Sequence, residues 1–372
     1  MTRYFSAPGR VEICGNHTDH QCGKVLAAAI DLCITAVVEP NGTDVVRLKS
    51  LEQTYEIELT DLSIRFDEKG RSEALVRGVA AWFARNGYRT GGFDAEISSE
   101  VPTGAGLSSS AAFEVLIGNI FSSLFGSDVS QTEIAIAGQF AENVYFGKPC
   151  GLMDQTISSF GGLCLIDFRR PQEPVVTPVR ADFTGYTICV TITGDSHADL
   201  TPDYAAITME MQAAAAHFNR ESLRDVTTGE FFASIGKMRR LGDRTISRAL
   251  HYFGENERVT KIATALENGH IKRFLELVTE SGRSSLALLQ NIYSVTNPHQ
   301  QGLTLALALS EQILDGKGAW RVHGGGFAGT IIAFVPDELC EAYSKQMSAV
   351  FGEGCCHFLS IREKGGGEEM MK

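Results

Sequence analysis

The most informative stretch of the sequence is VPTGAGLSSSAAFEV, residues 101–115. It follows the strand pattern GFDAEISSE and leads into apolar residues spaced three and four apart, which predicts an amphipathic helix. Glycines at 104 and 106 let the backbone approach a bulky anion, and serines then lie at the helix N-terminus, where free amides favour phosphate. A serine-rich N-cap after a flexible turn is the alternative, but the whole series favours phosphate. It is not a Walker A loop, because no Gly-Lys-Ser/Thr follows.

The sequence around this stretch predicts a strand-rich first half. ITAVVEP and DVVRLKS are strand patterns that flank the turn signal Asn41-Gly42, and YEIEL and GGLCLIDF are further strands. SEALVRGVAAWFARNG predicts a helix ended by glycine, and another helix is expected from about Glu133 to Phe146, broken at Gly147-Lys148-Pro149. RRPQEPVVTPV is expected to be an extended connector.

The second half has a different pattern. YTICVTITG predicts a strand, and most of residues 203–316 predict successive helices. AWRVH, TIIAFV and CCHFLSI are strand patterns with a helix between the last two, and EKGGGEEMMK is expected to be a loose tail. The sequence therefore predicts an α+β protein of two lobes, residues 1–182 and 183–372.

Composition and charge exclude several classes of protein. The 372 residues suffice for two packed cores, since single cores stop growing near ~250–300 residues. The formal net charge of −12 argues against a nucleic acid or an anionic membrane as partner, and no apolar run approaches the ~20 residues that span a bilayer. The opening MTRYFSAPGR lacks the features of a secretory signal. Nine scattered cysteines without a CxxC pair suit a cytosolic protein, so we expect the cytoplasm.

Two further glycine-rich stretches suggest a binding site. GRVEICGNHTDHQCGKV, residues 9–25, gathers an arginine, two histidines and an aspartate between glycines, as if around something bound. His17, Asp19 and His20 are also plausible zinc ligands, which leaves a metal site as an alternative. KGAWRVHGGGFAGTIIAFV places residues 324–326 between two strands, either as a bulged hairpin or as backbone that a ligand approaches closely.

Two carboxylates flank the glycine-proline break in FAENVYFGKPCGLMDQTISSFGG. Glu142 precedes the break and Asp154 follows it, so they can converge on one spot, one for a metal and one for a proton. The alternative is a solvated helix residue and an acid favoured by the dipole of a helix N-terminus. Spacing alone favours that alternative.

Taken in order, five segments resemble the GHMP small-molecule kinases over residues 7–330. They are APGRVEICGNHTDHQCGKV, VPTGAGLSSSAAFEV, ENVYFGKPCGLMDQ, SHADLTPDY and HGGGFAGT. The first segment resembles the galactokinase branch, where it cradles the sugar. The resemblance implies an α+β fold with an N-terminal ribosomal-S5-like lobe and a C-terminal ferredoxin-like, helix-rich lobe, with the active site in the cleft between. It also implies ATP and Mg²⁺, and phosphorylation of the anomeric hydroxyl of galactose. We leave the oligomeric state open between a monomer and a weak dimer.

The resemblance implies a role for each residue that matches a motif. Asp154 would accept or orient the proton of the anomeric hydroxyl, and Arg10 would lie against that hydroxyl and the transferring phosphoryl group. Ser110 and Glu142 would hold Mg²⁺. The remaining implied roles are sugar binding by Asn16, His17, Asp19, Gly151 and Tyr204; ATP binding by Gly104, Ala105, Gly106, Leu107, Ser108, Ser109 and Ser110; and closure of the site by Gly324, Gly325 and Gly326.

The chain departs from the family pattern at several positions. Galactokinases usually have GEHTDY where this chain has GNHTDH, so Asn16 replaces a glutamate that faces the sugar's C6 hydroxyl, and His20 replaces a tyrosine. A neutral amide no longer repels a carboxylate, and plant galacturonokinases also lack the glutamate, so a C6-altered sugar such as galacturonate is the alternative substrate. A non-catalytic sugar and ATP sensor is a second alternative, although Asp154 and Arg10 are both present. His323 and Ala328 stand where relatives often have Ser/Thr and Gly.

Overall fold

Two β-sheets, each packed against helices, organise the chain. The computed structural model describes residues 1–50, 53–102, 104–194 and 200–370. Its strands are β1 (Arg3–Cys14), β2 (Lys24–Pro40), β3 (Val45–Lys49), β4 (Thr54–Glu58), β5 (Phe93–Ser99), β6 (Leu163–Asp167), β7 (Val175–Pro178), β8 (Tyr186–Ile192), β9 (Ala319–His323), β10 (Thr330–Pro336), β11 (Cys356–Leu359) and β12 (Gly367–Glu369). Its α-helices are α1 (Ser72–Arg85), α2 (Ser109–Leu124), α3 (Gln131–Phe140), α4 (Met153–Phe160), α5 (Thr201–Ala216), α6 (Thr228–Met238), α7 (Asp243–Glu267), α8 (Ile271–Ser284), α9 (Gly302–Leu314) and α10 (Cys340–Phe351). The predicted α+β class is confirmed.

The first sheet is built on the long strands β1 and β2. Its order is β12-β1-β2-β5-β3-β4, and β6 pairs with the first part of β2 and with β7. Helix α2 packs against β1 and β2, and α3 and α4 pack on α2. Its apolar residues, among them Val115, Leu116 and Ile120, are fully buried, as the three- and four-residue spacing predicts. The loop before α2 also lies against β1, since the Arg10 amide donates to the carbonyl of Leu107.

The predicted turn at Asn41-Gly42 is present, but the two strands it joins are not neighbours. Gly42 has the positive φ of 67° that such a turn requires. Strand β5 lies between β2 and β3, antiparallel to the first and parallel to the second. The backbone of Gly92 donates to the carbonyl of Thr43 over 2.6 Å and closes this arrangement. Local turn chemistry therefore predicts the bend and not the pairing.

The second sheet has the order β11-β8-β10-β9 and carries the later helices. Helices α8 and α9 pack against β9, and α10 packs against α9. Helices α5, α6 and α7 bury a separate apolar cluster that includes Ile207, Met211 and Phe231. Within the described ranges, none of the helices combines the length and apolar character needed to cross a membrane.

Of two expectations about less regular segments, the first is incomplete and the second is wrong. The predicted connector RRPQEPVVTPV contains β7, which pairs with β6. The predicted loose tail contains β12, which pairs with β1 in the register Tyr4↔Glu369. The first sheet thus holds strands from residues 3–178 and also from 367–369. A division into lobes at residues 182 and 183 stays a prediction.

Candidate active site

The predicted phosphate loop links β5 to α2 in a strained conformation. Gly104, Gly106 and Ser108 have positive φ values of 79°, 70° and 60°, which is unusual for a serine. The Ser108 side chain does not cap α2. Its hydroxyl instead donates to Asp154 Oδ2 over 2.5 Å. The simple N-cap alternative therefore does not hold, and the amides at the start of α2 stay available for an anion.

Arg10 and Asp154 form a bidentate pair between β1 and the first turn of α4. The Nε and Nη2 groups of Arg10 donate to Oδ1 and Oδ2 of Asp154, each over 2.7 Å. Arg10 Nη1 donates to the carbonyl of Gly106 over 2.5 Å, and the Arg10 amide donates to the carbonyl of Leu107 over 3.1 Å. The arginine is only 6 % exposed, whereas the aspartate side chain keeps 30 % of its surface. The pair thus ties β1 to both the phosphate loop and α4.

The environment of Asp154 keeps it ionised. Burial alone raises the pKa of its carboxyl, but the charge and hydrogen bonds of Arg10 and the hydroxyl of Ser108 outweigh that effect and lower the pKa below its ordinary value. An ionised carboxylate with part of its surface open can accept a hydrogen bond from a bound hydroxyl. Sequence reasoning predicted Arg10 and Asp154 together, and the structure brings them together.

Glu142 contacts the first turn of α2, directly after the phosphate loop. The predicted helix over residues 133–146 begins as α3, with a capping box of Ser130 and Glu133, and its last six residues, Ala141–Phe146, are π-helical. Glu142 is 2 % exposed, and its carboxylate accepts from Ser110 Oγ and Lys148 Nζ, each over 3.0 Å. The structure therefore joins the two residues predicted to hold Mg²⁺. Lys148 was not predicted as a partner of Glu142, because the sequence pattern marks it only as part of the break after the helix.

The segment between β1 and β2 folds into a tight turn with several left-handed residues. Gly15, His17 and Cys22 have φ values of 112°, 58° and 56°. Thr18 Oγ1 donates to the carbonyls of Gly15 and Lys24 over 2.8 and 2.6 Å and closes the turn. The turn therefore has a fixed backbone that holds its polar side chains in place.

Helices α7 and α8 hold this turn from the second half of the chain. Glu255 accepts from the amides of Gly15 and Asn16 over 3.0 and 3.4 Å and from Ser281 Oγ over 2.6 Å. His251 Nε2 lies 3.0 Å from the carbonyl of Asn16, and burial lowers the pKa of His251 to about 4, which keeps it neutral. Sequence reasoning missed His251 and Glu255. Their spacing of four on one helix face was the available signal.

The predicted sugar-binding residues divide into two sets. Asp19 lies against Gly151, where any side chain would collide with its carboxylate, and His17 Nε2 is 2.9 Å from the carbonyl of Gly325. Tyr204 donates its hydroxyl to the carbonyl of Gly326 over 2.9 Å. Burial raises the pKa of Asp19, the negative Asp154 raises it further, and His17 opposes both. Asp19 is thus close enough to Asp154 for their charges to interact, and His17 and Tyr204 hold the backbone of Gly325 and Gly326.

Asn16 belongs to the second set because its amide is used within the protein. The side chain is 1 % exposed, donates to the carbonyl of Gly324 over 2.6 Å and accepts from Asn291 Nδ2 over 2.8 Å. Its amide also donates to Glu12 Oε1 over 3.3 Å. Direct contact of Asn16 with a sugar stays a prediction. The bond from Asn16 to Gly324 attaches the third glycine loop (residues 324–326) to the turn between β1 and β2.

Two motif assignments have different outcomes. Of SHADLTPDY, residues 196–199 lie outside the described residues. The zinc alternative for His17, Asp19 and His20 lacks support: across the described ranges, no group of three or more His, Cys, Asp or Glu could hold a metal ion. His20 Nε2 instead lies 3.3 Å from His17 Nδ1.

Comparisons with known proteins agree with this geometry. The chain matches the family model described as GHMP kinases N terminal domain over residues 74–162, and the galactokinase galactose-binding signature over residues 2–40. Among solved structures it is similar to Lactococcus lactis galactokinase complexed with galactose, with a TM-score of 0.83 and 25 % identity, covering 100 % of this chain and 95 % of that one.

More distant structures share the fold. The mevalonate kinase of Methanococcus jannaschii has a TM-score of 0.69 at 15 % identity, covering 97 % of this chain and 98 % of its own. The phosphomevalonate kinase of Streptococcus pneumoniae has a TM-score of 0.66 at 14 % identity, covering 97 % and 99 %. The two family models fall on the segments that contribute Arg10 and Asp154. The chain is therefore similar to the GHMP kinases, and these matches support a galactokinase-like, ATP-dependent sugar kinase.

Proposed function

We propose that this chain transfers the γ-phosphoryl group of ATP to the anomeric hydroxyl of galactose, giving galactose 1-phosphate and ADP. The observation that carries the proposal is the set of Arg10, Ser108 and Asp154. Arg10, from the sugar segment (residues 9–25), and Ser108, from the phosphate loop, both donate to the carboxylate of Asp154. The galactose-binding signature over residues 2–40 and the likeness to a galactokinase complexed with galactose support the sugar.

In this proposal Asp154 orients the attacking hydroxyl. Its lowered pKa makes it a weak base, so it accepts a hydrogen bond from the anomeric hydroxyl and takes the proton as the new O–P bond forms. Late proton transfer suits the loose transition state of phosphoryl transfer, in which positioning matters more than early activation of the nucleophile.

Arg10 would serve both reactants. Its fork holds the two oxygens of Asp154, and its third donor holds the carbonyl of Gly106, so the guanidinium cannot move away from the phosphate loop. A fixed cation at this place stabilises negative charge on the phosphoryl oxygens as it develops.

Ser110 and Glu142 fit a magnesium ion that arrives with ATP. A hydroxyl and a carboxylate 3.0 Å apart beside a helix N-terminus suit Mg²⁺, which takes few protein ligands and several phosphate or water oxygens. Mg²⁺, when bound, neutralises charge on the phosphate oxygens.

Replacing Glu142 with Gln is expected to raise the Mg²⁺ concentration for half-maximal activity by about 10-fold, because a neutral amide binds a hard cation more weakly. The measurement is a Mg²⁺ titration of initial rate at saturating ATP and galactose. Glu276→Gln is the control, since Glu276 pairs with Arg273 on the surface. A Glu142→Gln titration that overlays the wild-type curve contradicts the metal role.

The charges around the sugar segment favour a neutral C6 group. Arg10 pairs with Asp154, Arg321 Nη2 lies 2.7 Å from Glu12 Oε1, and Arg258 pairs with Glu255. Each of these cations is therefore already matched by one carboxylate. A uronic acid would add an unmatched negative charge at this segment, which is costly in a largely buried site. For this reason we prefer galactose as the substrate, although the neutral Asn16 would not itself repel the carboxylate of galacturonate.

We expect kcat/KM for galactose to exceed that for galacturonate by about 100-fold or more, with glucose and N-acetylgalactosamine also poorer substrates. The measurement is ADP release from purified protein with ATP, Mg²⁺ and each sugar, with ³¹P NMR to place the phosphate on C1. Equal or better turnover of galacturonate contradicts the proposal in favour of the uronic acid. Nucleotide and sugar binding without turnover of any sugar points instead to the sensor.

We also propose that the protein is cytoplasmic and that it is either a monomer or a weak dimer. All nine cysteines are free, which suits a reducing compartment.

A further inference from the structure

His323 ends β9, directly before the third glycine loop, and the roles derived so far do not involve it. It is 2 % exposed and lies between the two sheets. Its Nε2 is 3.1 Å from the backbone nitrogen of Glu12, and its Nδ1 is 3.1 Å from Thr330 Oγ1. The imidazole therefore spans from β10 in the second sheet to β1 in the first.

Glu12 is held by two alternate residues of β9. His323 accepts from its backbone amide, while Arg321 Nη1 donates to its carbonyl over 3.3 Å and Arg321 Nη2 donates to its carboxylate over 2.7 Å. Beyond β12, which pairs only with residues 4–6, this edge of β1 has no backbone partner of its own among the described strands. Side chains of β9 thus replace a neighbouring strand, and both backbone groups of Glu12 are satisfied.

The hydrogen bonds fix the tautomer of His323. A backbone amide can only donate, so Nε2 must carry a lone pair, and the hydrogen of the neutral ring must lie on Nδ1, facing Thr330 Oγ1. Burial and the nearby Arg10 and Arg321 lower the pKa of His323 well below its ordinary 6.5, which keeps the ring neutral.

The same ring reaches the phosphate loop. A side chain at Gly106 would come within 2.9 Å of Thr330 Oγ1 and 3.4 Å of His323 Nδ1, so His323 and Thr330 lie directly against this glycine. Arg10, which donates to the Gly106 carbonyl, lies two residues before Glu12 on the same face of β1. Arg10 on β1 and Gly106 in the phosphate loop are joined by one hydrogen bond. His323 contacts both the strand and the loop beside that bond.

We propose that His323, as the Nδ1–H tautomer, is a positioning residue that sets Arg10 against the phosphate loop through the backbone amide of Glu12. This inference rests on the proposed phosphoryl transfer for its effect on rate. It does not rest on the identity of the sugar. The proposal also gives residues 324–326 a structural function, because His323, which directly precedes them, attaches them to β1.

The test compares His323→Gln with His323→Asn. Glutamine Oε1 can occupy the position of Nε2 and accept from Glu12, whereas the shorter asparagine reaches only the position of Nδ1 and leaves that buried amide without an acceptor. The Gln variant is expected to keep kcat within about threefold of wild type, and the Asn variant to lose about 10-fold or more, with KM for the sugar changed less than kcat. Equal kcat values for the two variants overturn the proposal.

A second measurement does not depend on turnover. In wild-type protein labelled with ¹⁵N at histidine, long-range ¹H–¹⁵N spectra should assign to His323 an unprotonated Nε2 and a protonated Nδ1 at neutral pH, with loss of that signal in His323→Gln identifying the resonance. An Nε2–H ring or a charged imidazolium overturns the inference. If wild-type protein phosphorylates no sugar, the proposed function fails, while this spectrum still decides the position of the proton.

Discussion

Replacing Asp154 with Asn is expected to lower kcat by about 10³-fold, within the range that a positioned base contributes. Asparagine keeps the shape of the side chain, but it can present only one acceptor to the two donors of Arg10 and cannot take the proton of the sugar hydroxyl. ATP binding should change by less than about threefold, because an arginine relieved of its anion still attracts phosphate. Single-turnover rates and the dissociation constant of a non-hydrolysable ATP analogue measure the two effects separately.

The chain offers a matched control at its surface. Arg239 and Asp243 form the same fork, Nε to Oδ1 at 3.0 Å and Nη2 to Oδ2 at 3.2 Å, with both side chains largely exposed. Asp243→Asn removes an Arg–Asp pair without touching the cleft, so kcat should stay at the wild-type level. If Asp154→Asn retains wild-type kcat, Asp154 has no part in the chemistry and the proposed mechanism is wrong.

The pKa of Asp154 also has a consequence for acid stability. A carboxyl whose folded pKa lies below its unfolded value stabilises the fold fully above the unfolded value, and that contribution is lost as pH falls through the lower folded pKa. For Asp154 the loss therefore falls below its ordinary pKa of 3.8. Wild type and Asp154→Asn should differ in stability by a constant amount at neutral pH, and the difference should shrink only in strong acid.

The parts of the site that sequence reasoning predicted are those encoded locally. The glycines and serines of residues 104–110 lie next to the helix they precede, so backbone freedom and helix N-terminal chemistry can be inferred from adjacent residues. The bond from Ser108 to Asp154 joins residues 46 positions apart, and no periodicity reports it. The family resemblance assigned both residues to the active site, but only the structure shows that the serine contacts the carboxylate instead of capping the helix.

Long-range support accounts for what the sequence left out. Glu255 lies 240 positions from Gly15, and an acid on a long helix is typical of a solvated surface. Its burial follows from how α7 and α8 pack against the turn, which depends on the whole fold. The same holds for β12, since a tail with five acidic or basic residues and three glycines has weak strand propensity and pairs because β1 offers an open edge.

Replacing Arg10 with Lys is expected to lower kcat by about 10²-fold, the scale of one lost donor to a developing oxyanion. Lysine keeps the positive charge, but a single ammonium cannot hold both oxygens of Asp154 and the carbonyl of Gly106 together. The effect should fall on kcat more than on KM for galactose, because charge develops on the phosphoryl group only in the transition state. Steady-state kinetics with varied galactose at saturating ATP separate the two constants.

Arg239→Lys is the control for this change, since it breaks the surface fork of the same geometry and should leave kcat unchanged. The two substitutions at the cleft pair also test each other. If Arg10 and Asp154 act as one unit, the double variant Arg10→Lys with Asp154→Asn should be no more than about tenfold slower than Asp154→Asn alone, because the second change removes little that the first has left. If the losses in the double variant multiply, the arginine acts on the phosphate independently of the carboxylate. If Arg10→Lys alone keeps wild-type kcat, charge suffices and the fork has no catalytic function.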